Sequence, residues 1–287
     1  MHDYSRLKPI ALYFFSAILA TVVLIQVICV TAVNTENKRG VKVPIIMYHS
    51  VVKDASRANE YVVSVDTFEK DLQYLRQNGY TTIVVSDLIN YVYYDGTLPD
   101  KPVMITLDDG HLNNLTYVLP LLEKYDMKAC ISVVGYYTDL SENSSDRNPL
   151  YSYLNWDDIL ELYRSNRIEI GLHSYNLHSN TYKRVGSTKN KNETFGQYEE
   201  MFLRDTLNLI SMLRQECDIT STFYTYPFGF YCDESERILK SIGIKVTLTC
   251  ADKANYITRS PDCLYHLNRY NRPSGISTQS YMKNVLK

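Results

Sequence analysis

Beyond residue 42, short apolar runs alternate with amphipathic stretches almost without interruption, and this rhythm constrains the fold more than any other feature of the sequence. "VPIIMYH" reads as a strand. "DTFEKDLQYLRQNGY" reads as a helix with Asp66 as its cap and Gly79 as its stop, and "TTIVV" as the next strand. "SDLINYVYY" is a helix opened by Ser86, "PVMITL" a strand, and "LTYVLPLLEKYDM" a helix bent near Pro120. "ACISVVG", "WDDILELYRSN", "IEIGLH", "YEEMFLRDTLNLISMLRQEC", "STFYTYP", "DESERILKSIGI", "KVTLTCA" and "LYHLNRY" continue the alternation, the last as a final strand. Runs so evenly apolar suit strands covered on both faces, as in a parallel α/β sheet or barrel. Two polar stretches, "YYTDLSENSSDRNPLYSYLN" and "SYNLHSNTYKRVGSTKNKNETFGQ", each follow a strand's carboxyl end, where ligands sit in such folds. They read equally as walls of a groove and as solvated loops.

The amino-terminal forty residues are a different material. No charge occurs between Pro9 and Thr35, and "IALYFFSAILATVVLIQVICVTAV" would extend about 36 Å as a helix, against roughly 30 Å of hydrocarbon. This is longer than the apolar centre of a cleaved signal peptide, so an uncleaved anchor is expected. The division that follows is a cytoplasmic amino terminus over 1–8, a transmembrane signal anchor over 9–33, a linker over 34–42 and a domain over 43–287 outside the cytoplasm. Thirty basic side chains against thirty-two acidic ones supply no cationic footprint for nucleic acid, which is not expected as a partner. Tyrosine is abundant, with 26 copies, and its flat amphipathic ring suits sugar faces as well as ordinary half-buried surface. Cys130, Cys217, Cys232, Cys250 and Cys263 follow the anchor without metal-ligand spacing; Cys130 and Cys250 read as buried, and Cys217 with Cys232 could pair.

Three short stretches carry chemistry. In "ITLDDGHLNN", Asp108 and Asp109 end an apolar strand. One acid would suffice to cap the following helix, whereas two allow one to hold a cation while the other takes a proton. In "IEIGLHSYNLHS", His173 and His178 lie five residues apart, so their rings converge only through a turn; with a carboxylate they suit zinc or a similar divalent ion. In "TYPFGFY", Pro227 and Gly229 enforce a turn that could present the Phe228 N–H to a developing oxyanion. His111 reads as facing solvent, and His49 in "MYHSV" as lining the groove from another strand end.

Taken in this order, "TLDDG", "HSYNLH" and "YPFG" resemble the motifs of the polysaccharide deacetylases with the NodB-homology domain, carbohydrate esterase family four, over roughly residues 43 to 272. The resemblance implies a distorted (β/α) barrel of about seven parallel strands, with Asp108 as general base and Asp109, His173 and His178 as ligands of a divalent metal, zinc or cobalt. The histidine spacing resembles the variant in members acting on β-1,6-linked N-acetylglucosamine polymers. Leu107 and Phe228 stand where the family has phenylalanine and tyrosine, and Thr225 where most members have arginine. Arg269 in "LNRYNRPSG" is the nearest substitute for that arginine, while "LYH" supplies His266 for the family's general acid. In a regular strand these two point to opposite faces, so only one enters the groove; Arg269 is preferred and the acid is left open. Asp252 reads either as the remnant of the arginine-positioning motif or as a cap. The implied activity is a membrane-tethered, metal-dependent deacetylase of an N-acetylglucosamine-containing cell-surface or cell-wall polysaccharide. The alternatives are a catalytically silent glycan-binding relative and an O-acetyl esterase of the xylan type.

Overall fold

The computed structural model of the protein describes residues 21–24, 26, 40–181 and 184–287. The expected anchor, tail and linker therefore lie for the most part outside the described residues, and no described helix is long and apolar enough to cross a membrane. The unit from Lys42 to Lys287 is an α/β domain built on parallel strands.

Its strands are β1 (Ile45–Tyr48), β2 (Thr81–Ile83), β3 (Pro102–Leu107), β4 (Ala129–Val133), β5 (Ile168–Leu172), β6 (Phe223–Thr225), β7 (Val246–Leu248) and β8 (Tyr270–Asn271). Seven of them follow one another in the order β7-β6-β5-β4-β3-β1-β8, and β2 pairs with the start of β3 through Thr81–Pro102 and Ile83–Met104. All these pairings are parallel. The expected distorted barrel is realised as a curled half-barrel. A short irregular segment spans its two edges: Leu267 forms a parallel bridge with Leu248 of β7, and three residues later Tyr270 pairs with Ile46 of β1.

The helices are α1 (Val65–Gln77), α2 (Val85–Tyr93), α3 (Leu119–Tyr125), α4 (Gly135–Glu142), α5 (Trp156–Arg164), α6 (Phe195–Cys217), α7 (Asp233–Ser241) and α8 (Thr278–Val285). On α1, Phe68, Leu72 and Leu75 recur at helical spacing, and all are buried in the core with Tyr48 and Ile105 of the sheet. Each such side chain contributes about 1.5–3 kcal/mol relative to leaving it exposed. The cap of α1 is Ser64, whose side chain accepts from the Thr67 N–H, so Asp66 falls in the first turn rather than at the cap. Likewise α2 begins at Val85, with Asp87 accepting from the Val84 N–H, one residue before the expected Ser86. Pro120 opens α3 behind a wide π-turn over Asn114–Val118, the bend expected there. The final stretch departs from expectation: "LYHLNRY" is not a strand, because Pro261–Leu264 forms a 3-10 turn and His266 takes a left-handed φ of 58° before the chain reaches β8. All five described cysteines are free, so Cys217 and Cys232 are not joined.

Candidate active site

Every residue singled out at a strand end lies at the same rim of the sheet, because parallel strands deliver their carboxyl ends together. Asp108 follows β3, His173 follows β5, Thr225 closes β6, His49 follows β1 and Cys250 lies two residues beyond β7. All of these but the buried Thr225 border a cleft of about 880 Å³, which Asp109, His111, His178 and Phe228 also line.

The turn after β3 is tightly built. Asp109 and Gly110 both adopt left-handed φ values, 72° and 74°, and a Cβ on Gly110 would lie 3.1 Å from the Val133 side chain. Glycine meets both conditions there. Asp109 pays some backbone strain and in return aims its carboxylate along the rim. A second left-handed residue, Ser174 at φ 69°, turns the chain after His173, and its hydroxyl accepts from the Leu177 N–H, which brings His178 back beside its partner.

His173 Nδ1 lies 2.8 Å from the Thr225 carbonyl oxygen. A carbonyl only accepts, so Nδ1 carries the proton and Nε2 is left bare toward the cleft. Burial pushes this histidine down to about 4, which keeps it neutral. Nε2 of His173 lies 3.5 Å, and Nε2 of His178 3.2 Å, from Oδ1 of Asp109. That oxygen is buried and accepts no well-formed hydrogen bond. Ligand atoms of Asp109, His173 and His178 all fall within 4.8 Å of one another, the one cluster of this kind among the described residues. A buried acceptor left without a proton donor and faced by two imidazole nitrogens is a donor set that fits a divalent cation. Three protein ligands also leave coordination positions free, as catalytic zinc sites require. Burial acts to raise the Asp109 carboxyl, but His111, His178 and His173 around it hold it well below the usual carboxylate range.

Asp108 is enclosed differently. Arg269 grips it with both terminal nitrogens, Nη1 to Oδ1 at 2.7 Å and Nη2 to Oδ2 at 2.8 Å, while Arg269 Nε donates to the Thr249 carbonyl. Arg269 is fully buried on the segment that spans the sheet edges. Burial would raise the Asp108 carboxyl, yet Arg269 foremost, with His173 and His49, keeps it below its ordinary value. His266 has no part in the cleft: its ring stacks on Tyr231 at 3.9 Å and its Nε2 meets a Glu236 carboxylate oxygen on α7. Thr225, where an arginine is the family norm, turns its hydroxyl to Ser132 at 2.6 Å and leaves its carbonyl for His173. Phe228, at φ 57° inside the Pro227–Gly229 turn, packs its ring on His178 with centroids 4.6 Å apart.

Two contributions escape a reading of the sequence. His111 does not face solvent; its Nε2 lies 3.6 Å from Asp109 Oδ2 and its ring stacks on Tyr153 at 4.9 Å. An antiparallel bridge between His111 and Tyr153 fastens the polar stretch after α4 to the cleft. Asn113 and Asn114 are buried: Asn113 accepts from the Val51 N–H and donates to Ser50, and Asn114 donates to the His49 carbonyl, fixing the rim where His49 stands. The signal available was adjacency, since "HLNN" directly continues the acidic turn.

A curled parallel sheet carrying two carboxylates, two metal-suited imidazoles and a buried arginine at its carboxyl rim defines a hydrolase-type site. The profile of the family Polysaccharide deacetylase matches residues 95–247, and the chain belongs to that family of carbon-nitrogen hydrolases. The protein YxkH of Bacillus subtilis is 24% identical over 252 residues, 88% of this chain and 78% of its own length. The poly-beta-1,6-N-acetyl-D-glucosamine N-deacetylase of Escherichia coli is 21% identical over 225 residues, covering 71% of this chain and only 33% of that enzyme. Among solved structures, a de-N-acetylase from Aggregatibacter actinomycetemcomitans shares the fold with a TM-score of 0.71 at 22% identity, over 86% of this chain and all of that one.

Proposed function

We propose that the protein removes acetyl groups from N-acetylglucosamine units of a cell-surface or cell-wall polysaccharide, with a β-1,6-linked polymer as the first substrate to test. The observation that carries the reading is the buried Asp109 oxygen facing His173 and His178, beside a carboxylate held by Arg269. Asp109, His173 and His178 would hold a divalent ion, zinc or cobalt by their donor types. When bound, such an ion supplies Lewis acidity toward the acetyl carbonyl and makes water a better nucleophile.

The chain's own groups do the rest. Asp108 stays ionised and takes the proton of the attacking water; Arg269 occupies one acceptor site on each of its oxygens and leaves the others open to the cleft. The Phe228 N–H at the turn receives the acetyl oxygen as charge grows on it. Water's oxygen bonds to the acetyl carbon, the carbon–nitrogen bond breaks, and the departing amine needs a proton. His49 is placed to deliver it: its ring lines the cleft with Nε2 4.0 Å from Asp108 Oδ2, and its Nδ1 has no other partner. This assigns the acid to His49, from an unrelated part of the chain, in place of His266. The charge-free stretch 9–33 is the proposed membrane tether, holding the domain on the outer side where such polymers lie.

Acetate release from a β-1,6-linked N-acetylglucosamine pentamer by the purified chain, with zinc or cobalt added or chelated, tests the reading. Release that stops with chelator is expected. No release from N-acetylated chains of any linkage would refute it.

A further inference from the structure

Two carboxylates of the cleft have no part in the chemistry above. Glu60 and Asp252 both line it, and Asn271 joins them: its backbone N–H donates to Asp252 Oδ1 at 3.3 Å and its Nδ2 to the Glu60 carbonyl at 3.0 Å. The side-chain oxygen of Asn271 is buried without a partner although Asn271 lines the cleft. One wall thus presents two carboxylates, with the buried amide oxygen of Asn271 behind them. Beside them Tyr61, 51% exposed, packs edge-on against His49 at 5.1 Å; its hydroxyl is raised by burial and by the Glu60 carboxylate next to it. The wall of Leu150, Tyr151 and Tyr153 carries no charge.

No lysine or arginine lines the cleft among the described residues, and Arg269 is buried with its charge committed to Asp108. With Asp108 and Arg269 cancelling, a divalent ion on Asp109 leaves the floor with one net positive charge. Glu60 and Asp252 reverse that sign at the wall. Such a field repels anionic chains and attracts cationic ones. An alkylammonium carries a positive charge, three donors and no acceptor, which suits a wall of two carboxylates, and an exposed tyrosine ring suits the apolar face of the sugar that bears it.

Resting on the deacetylase reading, we infer that this wall is a subsite for a glucosamine unit already freed of its acetyl group. The cleft then favours an N-acetylated unit whose chain neighbour carries a protonated amine, and each turnover makes the next nearby one easier. Deacetylation spreads in blocks, and chains bearing carboxylate or phosphate substituents at the neighbouring unit are refused.

The test uses the full chain with zinc and three pentamers: fully N-acetylated, one free amine, and one unit carrying a carboxylate ether. The expected kcat/KM for the amine-bearing pentamer is about tenfold above the fully acetylated one, and that for the carboxylate about tenfold below, a ratio that shrinks as salt rises. In the E60Q/D252N double variant the ratio between amine-bearing and fully acetylated chains should fall toward one. Calorimetric binding of a β-1,6-linked glucosamine trimer, tighter for the native chain than for the variant, reads the wall without turnover. Equal rates on all three pentamers with trimer binding unchanged by the substitutions would overturn the inference and leave the deacetylase standing. No acetate from any pentamer would instead refute the deacetylase, and the native substrate series decides the matter even if the variant does not fold.

Discussion

Arg269 and Arg272 stand three residues apart, both enclosed and each clamped on an aspartate, yet the two pairs serve opposite ends. Asp71 receives four donors: Arg272 Nε at 2.7 Å and Nη2 at 3.2 Å, the Tyr48 hydroxyl at 3.0 Å and the Thr278 hydroxyl at 2.6 Å. Every acceptor site of that carboxylate is used, so it can only clamp α8 onto α1. Asp108 receives two donors, both from Arg269, and borders the cleft. What separates a carboxylate that can only clamp from one still able to accept a proton is the lone pairs left over, not the arginine or the burial.

The strongest way to break this contrast is Asp108→Asn. It should lower kcat by about 10²–10⁴-fold while zinc content stays as in the native chain, because only the proton acceptor is lost. Retained turnover would mean that another group is the base. Asp71→Ala should do the converse, leaving Arg272 buried without its partner at a cost of about 3–5 kcal/mol in urea unfolding, with turnover per folded molecule kept within about twofold. A fall in turnover without loss of stability would erase the distinction. Arg269→Lys should lie between: one ammonium cannot span both oxygens, and kcat/KM should drop about tenfold. The smallest effect is expected for His266→Ala, at about 1 kcal/mol or less in stability and about twofold or less in rate, since both it and its partner Glu236 keep some contact with solvent and lie away from the cleft. A rate loss comparable to that of His49→Ala would return the acid to His266.

Much of this was legible in the sequence, for reasons that can be named. "PVMITL", "ACISVVG" and "IEIGLH" are strands with almost every residue buried, and continuous apolar runs flanked by turns announce such strands without ambiguity. The acidic pair and the two histidines were visible because strand ends in a parallel sheet share a rim. "LYHLNRY" misled because its apolar residues are buried by contact with two different strands in succession rather than by pairing along one. Periodicity records burial, not the path that achieves it. His111 misled because a residue after glycine has no local constraint on where it points; its position is set by Tyr153, forty-two residues away. The same holds for His49 as acid and for the wall of Glu60, Asn271 and Asp252, which exist only once distant segments meet.

The segment that spans the sheet edges also orders events in time. Asp108 and Arg269 are separated by 161 residues, so a growing chain exposes the acidic turn and both histidines long before the guanidinium that holds Asp108 is made. Until that segment reaches the strands on either side of it, Asp108 stands without its guanidinium, so the aspartate at the cleft is fixed only after most of the domain's strands have been made.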